Sequence, residues 1–105
     1  MHVRIFACLF LLASPSAAFA QTYTDLATYC HDMSEVSTST LLERIRGYSR
    51  EHVEAAGMKG ITDPLTIRMI HEVLDFAYSR PATMSLEAMR TELRNLCLQK
   101  KIFVQ

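Results

Sequence analysis

The segment His71-Glu72-Val73-Leu74-Asp75 comes nearest to a reactive constellation in this chain. Residues four apart on a helix face the same way, so a helix here sets His71 beside Asp75, the spacing at which a His-Glu-x-x-His helix holds zinc. Aspartate stands where the second histidine would be, and a third ligand would have to come from His31, His52 or Asp63, none of which the chain order forces into place. His71 and Asp75 are thus weak metal candidates, a metal-dependent hydrolase is a remote reading, and the expectation is no metal and no cofactor. Nucleophilic catalysis finds less support. The serines fall at helix caps or in the run Ser37-Thr38-Ser39-Thr40, and the chain has no Gly-x-Ser-x-Gly elbow and no phosphate-cradling glycine loop. The chain reads as a protein that is not an enzyme.

The remaining chemistry belongs to cysteine. Of three cysteines, Cys8 falls in an N-terminal stretch with the layout of an export signal: a short basic start through Arg4, an apolar run from Ile5 to Ala13, a Ser14-Pro15-Ser16 break and the small-residue site Ala18-Phe19-Ala20. The apolar run is too short to span a bilayer, which takes ~20 residues. Residues 1–20 are therefore expected to be a cleaved signal peptide, with 21–105 forming one domain that begins at Gln21. Bulky Phe6 ahead of Cys8 argues against a lipid-modified cysteine. Loss of Cys8 leaves Cys30 and Cys97, and an exported pair is most simply a disulfide. Closing so long a loop stabilises by ~4 kcal/mol in the loop-entropy treatment, which matters for a domain of about 85 residues with a small core. Redox-active thiols are disfavoured because no Cys-x-x-Cys spacing is present.

Eleven basic and eleven acidic residues are interspersed along the chain. No basic field exists for nucleic acid or for a lipid surface, and Lys100-Lys101 reads as a solvated helix end. The expected compartment is the periplasm or the exterior, with no membrane association after cleavage.

The elements that must carry these residues are helical. Thr24 suits an N-cap, and Leu26, Tyr29, Cys30, Met33, Val36, Ser37, Thr40 and Leu41 recur at helical spacing, predicting a first helix over 25–46. The Ser-Thr run within it has poor helix propensity, so that a bend or a close helix–helix approach is expected there. Arg44 projects onto the inner stripe and needs Asp75, Glu72 or the terminal carbonyls of another helix as partners. Gly47 ends this helix and Ser49 caps a short connecting one over 50–56, closed by Gly57 and Gly60. Asp63-Pro64 starts a third helix that ends near Ser79, before Arg80-Pro81. Its apolar arc, formed by Ile67, Ile70, Val73, Leu74, Ala77 and Tyr78 and widened by Leu65, Met69 and Phe76, is broader than the ~100° a surface helix needs. It is expected to be the central element or to offer a contact surface. Ser85 caps a last helix over 86–99 with Leu86, Met89, Leu93, Leu96 and Cys97 on one stripe, and the ending Ile102-Phe103-Val104 is expected to fold back or to join a contact surface. The fold class is all-α, a bundle of three main helices and one short connector with a Cys30–Cys97 disulfide.

Cys30, Arg46-Gly47-Tyr48-Ser49, the run from Ile70 to Pro81 and Cys97 together resemble a pattern of small exported helical proteins of Gram-negative bacteria. The resemblance covers most of the expected mature chain and implies compartment and fold; it transfers no activity or site residue. A looser likeness is to periplasmic acid-stress chaperones, from which this chain departs in its wider cysteine separation and its lack of lysine-rich ends. Small periplasmic immunity proteins and enzyme inhibitors share the design. The leading expectation is a non-enzymatic periplasmic protein-binding module whose surface includes Leu65, Met69, Phe76, Ile102 and Phe103, together with Met58, the partner being another protein or a second copy. The alternatives are a stress chaperone or an immunity or inhibitor protein.

Overall fold

The computed structural model describes residues 25–105. The expected signal peptide, Cys8, the start at Gln21 and the Thr24 cap lie outside the described residues. Five helices, with no strand among the described residues, run in order: α1 Leu26–Val36, α2 Thr38–Ile45, α3 Arg50–Met58, α4 Pro64–Ser79 and α5 Leu86–Leu98.

Four of these helix starts, all but that of α2, are built by a side chain that occupies free backbone donors. Asp25 accepts from the Ala27 amide at 3.3 Å and from the Thr28 hydroxyl at 2.9 Å. Ser49 accepts from His52 N–H, Asp63 from Thr66 N–H with Pro64 at the first helical position, and Ser85 from Ala88 N–H. The stops are equally local. Gly47 takes φ +92° while its own amide and that of Tyr48 donate to the Arg44 and Glu43 carbonyls, the paired closure that a left-handed residue allows. Lys100 closes α5 in the same manner at φ +59°, a position glycine usually holds. Arg80, extended ahead of Pro81, ends α4.

The single helix expected over 25–46 is two. Ser37 separates them, and the cause is hydroxyl chemistry. The Ser37 hydroxyl donates to the Met33 carbonyl at 2.7 Å, and that of Thr38 to Ser34 at 3.3 Å, back-bonding that bends a helix. The backbone stays right-handed at Ser37, so the axis is bent and the chain does not reverse. Val36, expected on the inner stripe, is turned outward and is 70% exposed.

The centre of the molecule also differs from expectation. Short α2, with Leu41 fully buried, touches all four other helices, whereas α4 packs chiefly on α2 and α3. The main core gathers Tyr29, Leu41, Val73, Phe76, Ala77, Met89, Leu93, Ile102 and Phe103 around Cys30 and Cys97. Those two cysteines stand at disulfide distance, with Cα atoms 5.5 Å apart, and tie α1 to α5. Burial of both sulfur-bearing residues, at 0% and 2% exposure, places the link inside the α1–α5 seam.

Candidate functional site

The C-terminal tail does not form a surface. Ile102 is 7% and Phe103 1% exposed, because the chain turns back after Lys100 and lays both side chains into the core between α1, α4 and α5. Phe76, also expected on the partner surface, is buried in that cluster with the Arg80 guanidinium 4.6 Å from its ring centroid. These three residues are corrected from contact surface to core: removing a large apolar tail from water is favourable wherever the fold offers a slot. Leu65 remains 45% exposed and Met69 half-buried. The breadth of the α4 arc thus divides along its length, its C-terminal half being core and its N-terminal half partly open.

His71 and Asp75 lie on one helix, yet different partners occupy them. Asp75 accepts from Arg50 at 2.6 Å, and the His71 imidazole lies 3.5 Å from Glu54. Hydrogen bonding to Asp75 is the main reason the Arg50 guanidinium is held above its ordinary value, with burial opposing. Of the other ligand candidates, His52 stacks on Tyr48 with ring centroids 4.8 Å apart, and Asp63 caps α4, where the Thr66 hydroxyl and amide draw its carboxyl below the ordinary range. No group of three or more His, Cys, Asp or Glu side chains converges on a metal position among the described residues.

Arg44 is satisfied by the carbonyls that end α4. Its guanidinium donates to Ala77 at 3.2 Å and Arg80 at 3.1 Å, and lies 5.0 Å from the Tyr78 ring centroid. This is a structural pairing, and of the partners considered from sequence the helix-end carbonyls hold the residue. Burial raises the Tyr78 hydroxyl above its ordinary value, opposed chiefly by the charge of Arg44; the hydroxyl donates to the Tyr48 carbonyl at 2.6 Å.

Among several clefts between the described residues, an apolar one of about 280 Å³ opens where the bend between α1 and α2 faces α3 and α4. Met33, Val36 and Thr40 form one wall, Val53 and Gly57 a second, and Met69, Ile70, Val73 and Leu74 the third. A methyl group at Gly57 would meet Ile70 at 3.9 Å, an ordinary contact, so glycine is not demanded by crowding there and leaves room in the wall. None of the lining side chains ionises, and the Ser37 and Thr66 hydroxyls at its edge donate to Met33 and Asp63. Such a site can bury apolar groups; it offers no nucleophile with a base beside it. A second cleft, of about 310 Å³, lies between Leu26, Tyr29 and Phe103, where the described chain begins.

Of the residues expected on a partner surface, Met69 lines the first cleft; Val36, Thr40 and Val53, which also line it, were not among them. The signal for Val36 was the Ser-Thr run directly after it, since a bend there rotates the preceding residue off the inner stripe. No helix among the described residues is long and apolar enough to cross a membrane, and a cysteine pair at disulfide distance is compatible with an oxidising compartment. Comparison with protein families, characterised proteins and solved structures finds no match to this chain.

Proposed function

We propose that this chain is an exported, non-enzymatic protein-binding module of the periplasm, and that its contact site is the apolar cleft bounded by α3, α4 and the α1–α2 bend. The observation that carries the reading is the cleft's lining: apolar walls with no ionisable group, among them the exposed side chain of Val36. Apolar side chains of a partner would leave water there, and the flexible thioethers of Met33 and Met69 adapt to their shape. The resemblance to small exported helical proteins points to the same compartment. In this reading the disulfide holds the opposite seam rigid, so that the contact face is presented on a fixed frame.

The test places a photo-reactive side chain at Val36 and exposes the oxidised protein to periplasmic extract. A discrete adduct competed by unlabelled wild-type protein, and not by Met69→Glu, is expected. Adducts that match those from a control position at Glu87, or that Met69→Glu competes equally well, remove the proposal.

A further inference from the structure

Beneath α3 lies an apolar contact that adjoins the main core at Val73. Val53 and Leu74 are buried, at 6% and 1% exposure, yet neither belongs to the continuous cluster around the cysteines. Val53 is also the one buried residue of α3. The helix is bounded on both sides by glycines in the left-handed region, Gly47 at φ +92° and Gly60 at φ +76°, where a side chain would be strained. The cysteine pair ties α1 to α5 and leaves α3 outside the closed seam's helix pair.

One ion pair and one histidine–carboxylate contact join α3 to α4. Arg50 meets Asp75 at 2.6 Å, Glu54 meets His71 at 3.5 Å, and Arg50 lies 3.8 Å from Glu54, joining the two pairs into one latch. The side chains in this latch are 36% to 68% exposed, a setting in which each pair holds only weakly and salt screens it. The Tyr78 hydroxyl, bonded to the Tyr48 carbonyl, anchors the chain beside the Gly47 turn and so fixes one end of the hinge.

We infer that α3 is a lid along one side of the apolar cleft, hinged at Gly47 and Gly60 and latched by Arg50–Asp75 and Glu54–His71, so that the width of the cleft is set by local opening of Arg50–Met58. The inference rests on the cleft being the contact site and names its regulation. Opening carries Val53 and Gly57 away from Ile70, Val73 and Leu74, and widens the cleft from one side. The α1–α5 seam stays packed, because the cysteine pair joins those two helices directly. Such openings of single elements, below the free energy of global unfolding, are the ordinary hierarchy of protein stability.

The test compares thiol labelling of Leu74→Cys, under the lid, with Leu93→Cys, in the main core, in the oxidised protein, with peptide mapping to confirm that Cys30 and Cys97 remain paired. Leu74→Cys is expected to label faster than Leu93→Cys. Adding Glu54→Gln with Asp75→Asn is expected to speed it by about fivefold, the scale of two exposed pairs, while Leu93→Cys is unchanged. Raising salt from about 0.05 to about 0.5 M should act in the same direction. Equal rates at the two positions, or a common response to the latch changes, overturn the lid. Amide exchange in unmodified protein gives the same decision without added thiols: residues 50–58 should exchange by a salt-sensitive opening that 86–98 do not share, and a single common opening refutes it. Differential labelling with no Val36 adduct would retain the lid and remove the contact reading; a Val36 adduct with common labelling would do the reverse.

Discussion

The Tyr29 hydroxyl, near the start of the described chain, donates to the backbone carbonyl of Phe103 at 2.6 Å, near its end. Phe103 itself sits at φ +59°, a conformation that bulky residues avoid, and its amide donates to Glu72 at 3.3 Å. Arg68 donates to the carbonyl of the next residue, Val104. Contacts from α1 and α4 thus hold the turned tail in a backbone shape worth about 1 to 3 kcal/mol of strain.

Tyr29→Phe removes the donor and leaves the Phe103 carbonyl buried. Unfolding in urea should show a loss of about 1 to 3 kcal/mol. Phe103→Ala should lose about 3 to 5 kcal/mol, since the emptied slot outweighs any easing of the backbone. A Phe103→Ala variant as stable as wild type would mean that the tail is not part of the core.

The cysteine pair closes a separation of 67 residues. Replacing both with serine should lower stability by about 4 kcal/mol, seen as a shifted urea midpoint. Both thiols in protein purified from an oxidising compartment should resist alkylation until reductant is added. Ready alkylation without reductant would count against the pairing.

Arg44→Lys should weaken the α2–α4 junction by about 1 kcal/mol, because an ammonium does not reproduce the planar fork that reaches Ala77 and Arg80 while stacking on Tyr78. Equilibrium unfolding of the two proteins side by side measures it, and an unchanged midpoint would assign the contact no net value.

Asp63 links stability to acid. Thr66 favours the ionised carboxylate in the folded chain, so the folded value lies below the unfolded one. Its contribution is therefore complete above the unfolded value and is lost as pH falls through the folded one, below about pH 4. Asp63→Asn, which still accepts at the cap, should flatten this part of the stability–pH curve. An identical acid limb in the two proteins would exclude Asp63 as a source of the dependence.

Local chemistry explains which elements were legible. Ser49, Asp63-Pro64 and Ser85 begin helices, and Gly47 and Pro81 end them, because capping and proline sterics act within four residues. Cys30 and Cys97, which stand at disulfide distance, were legible as a pair once Cys8 was set aside with the expected signal segment. The partners of His71 and Asp75 were not legible for a non-local reason: Glu54 and Arg50, which meet them, come from a different helix.

The amino-acid order by itself determined the all-helical class, most helix ends and which two cysteines would meet, since periodicity, caps and the two cysteines left after Cys8 is set aside do not depend on how helices are arranged. Tertiary packing decided which apolar side chains were core and which were surface. Ile102 and Phe103 are equally apolar in either role, and only the slot between α1, α4 and α5 made them interior. Val36 fits a core stripe until the Ser37 bend turns it outward. Burial is a property of the space between elements, and that space, including the cleft under α3, exists only once they have packed.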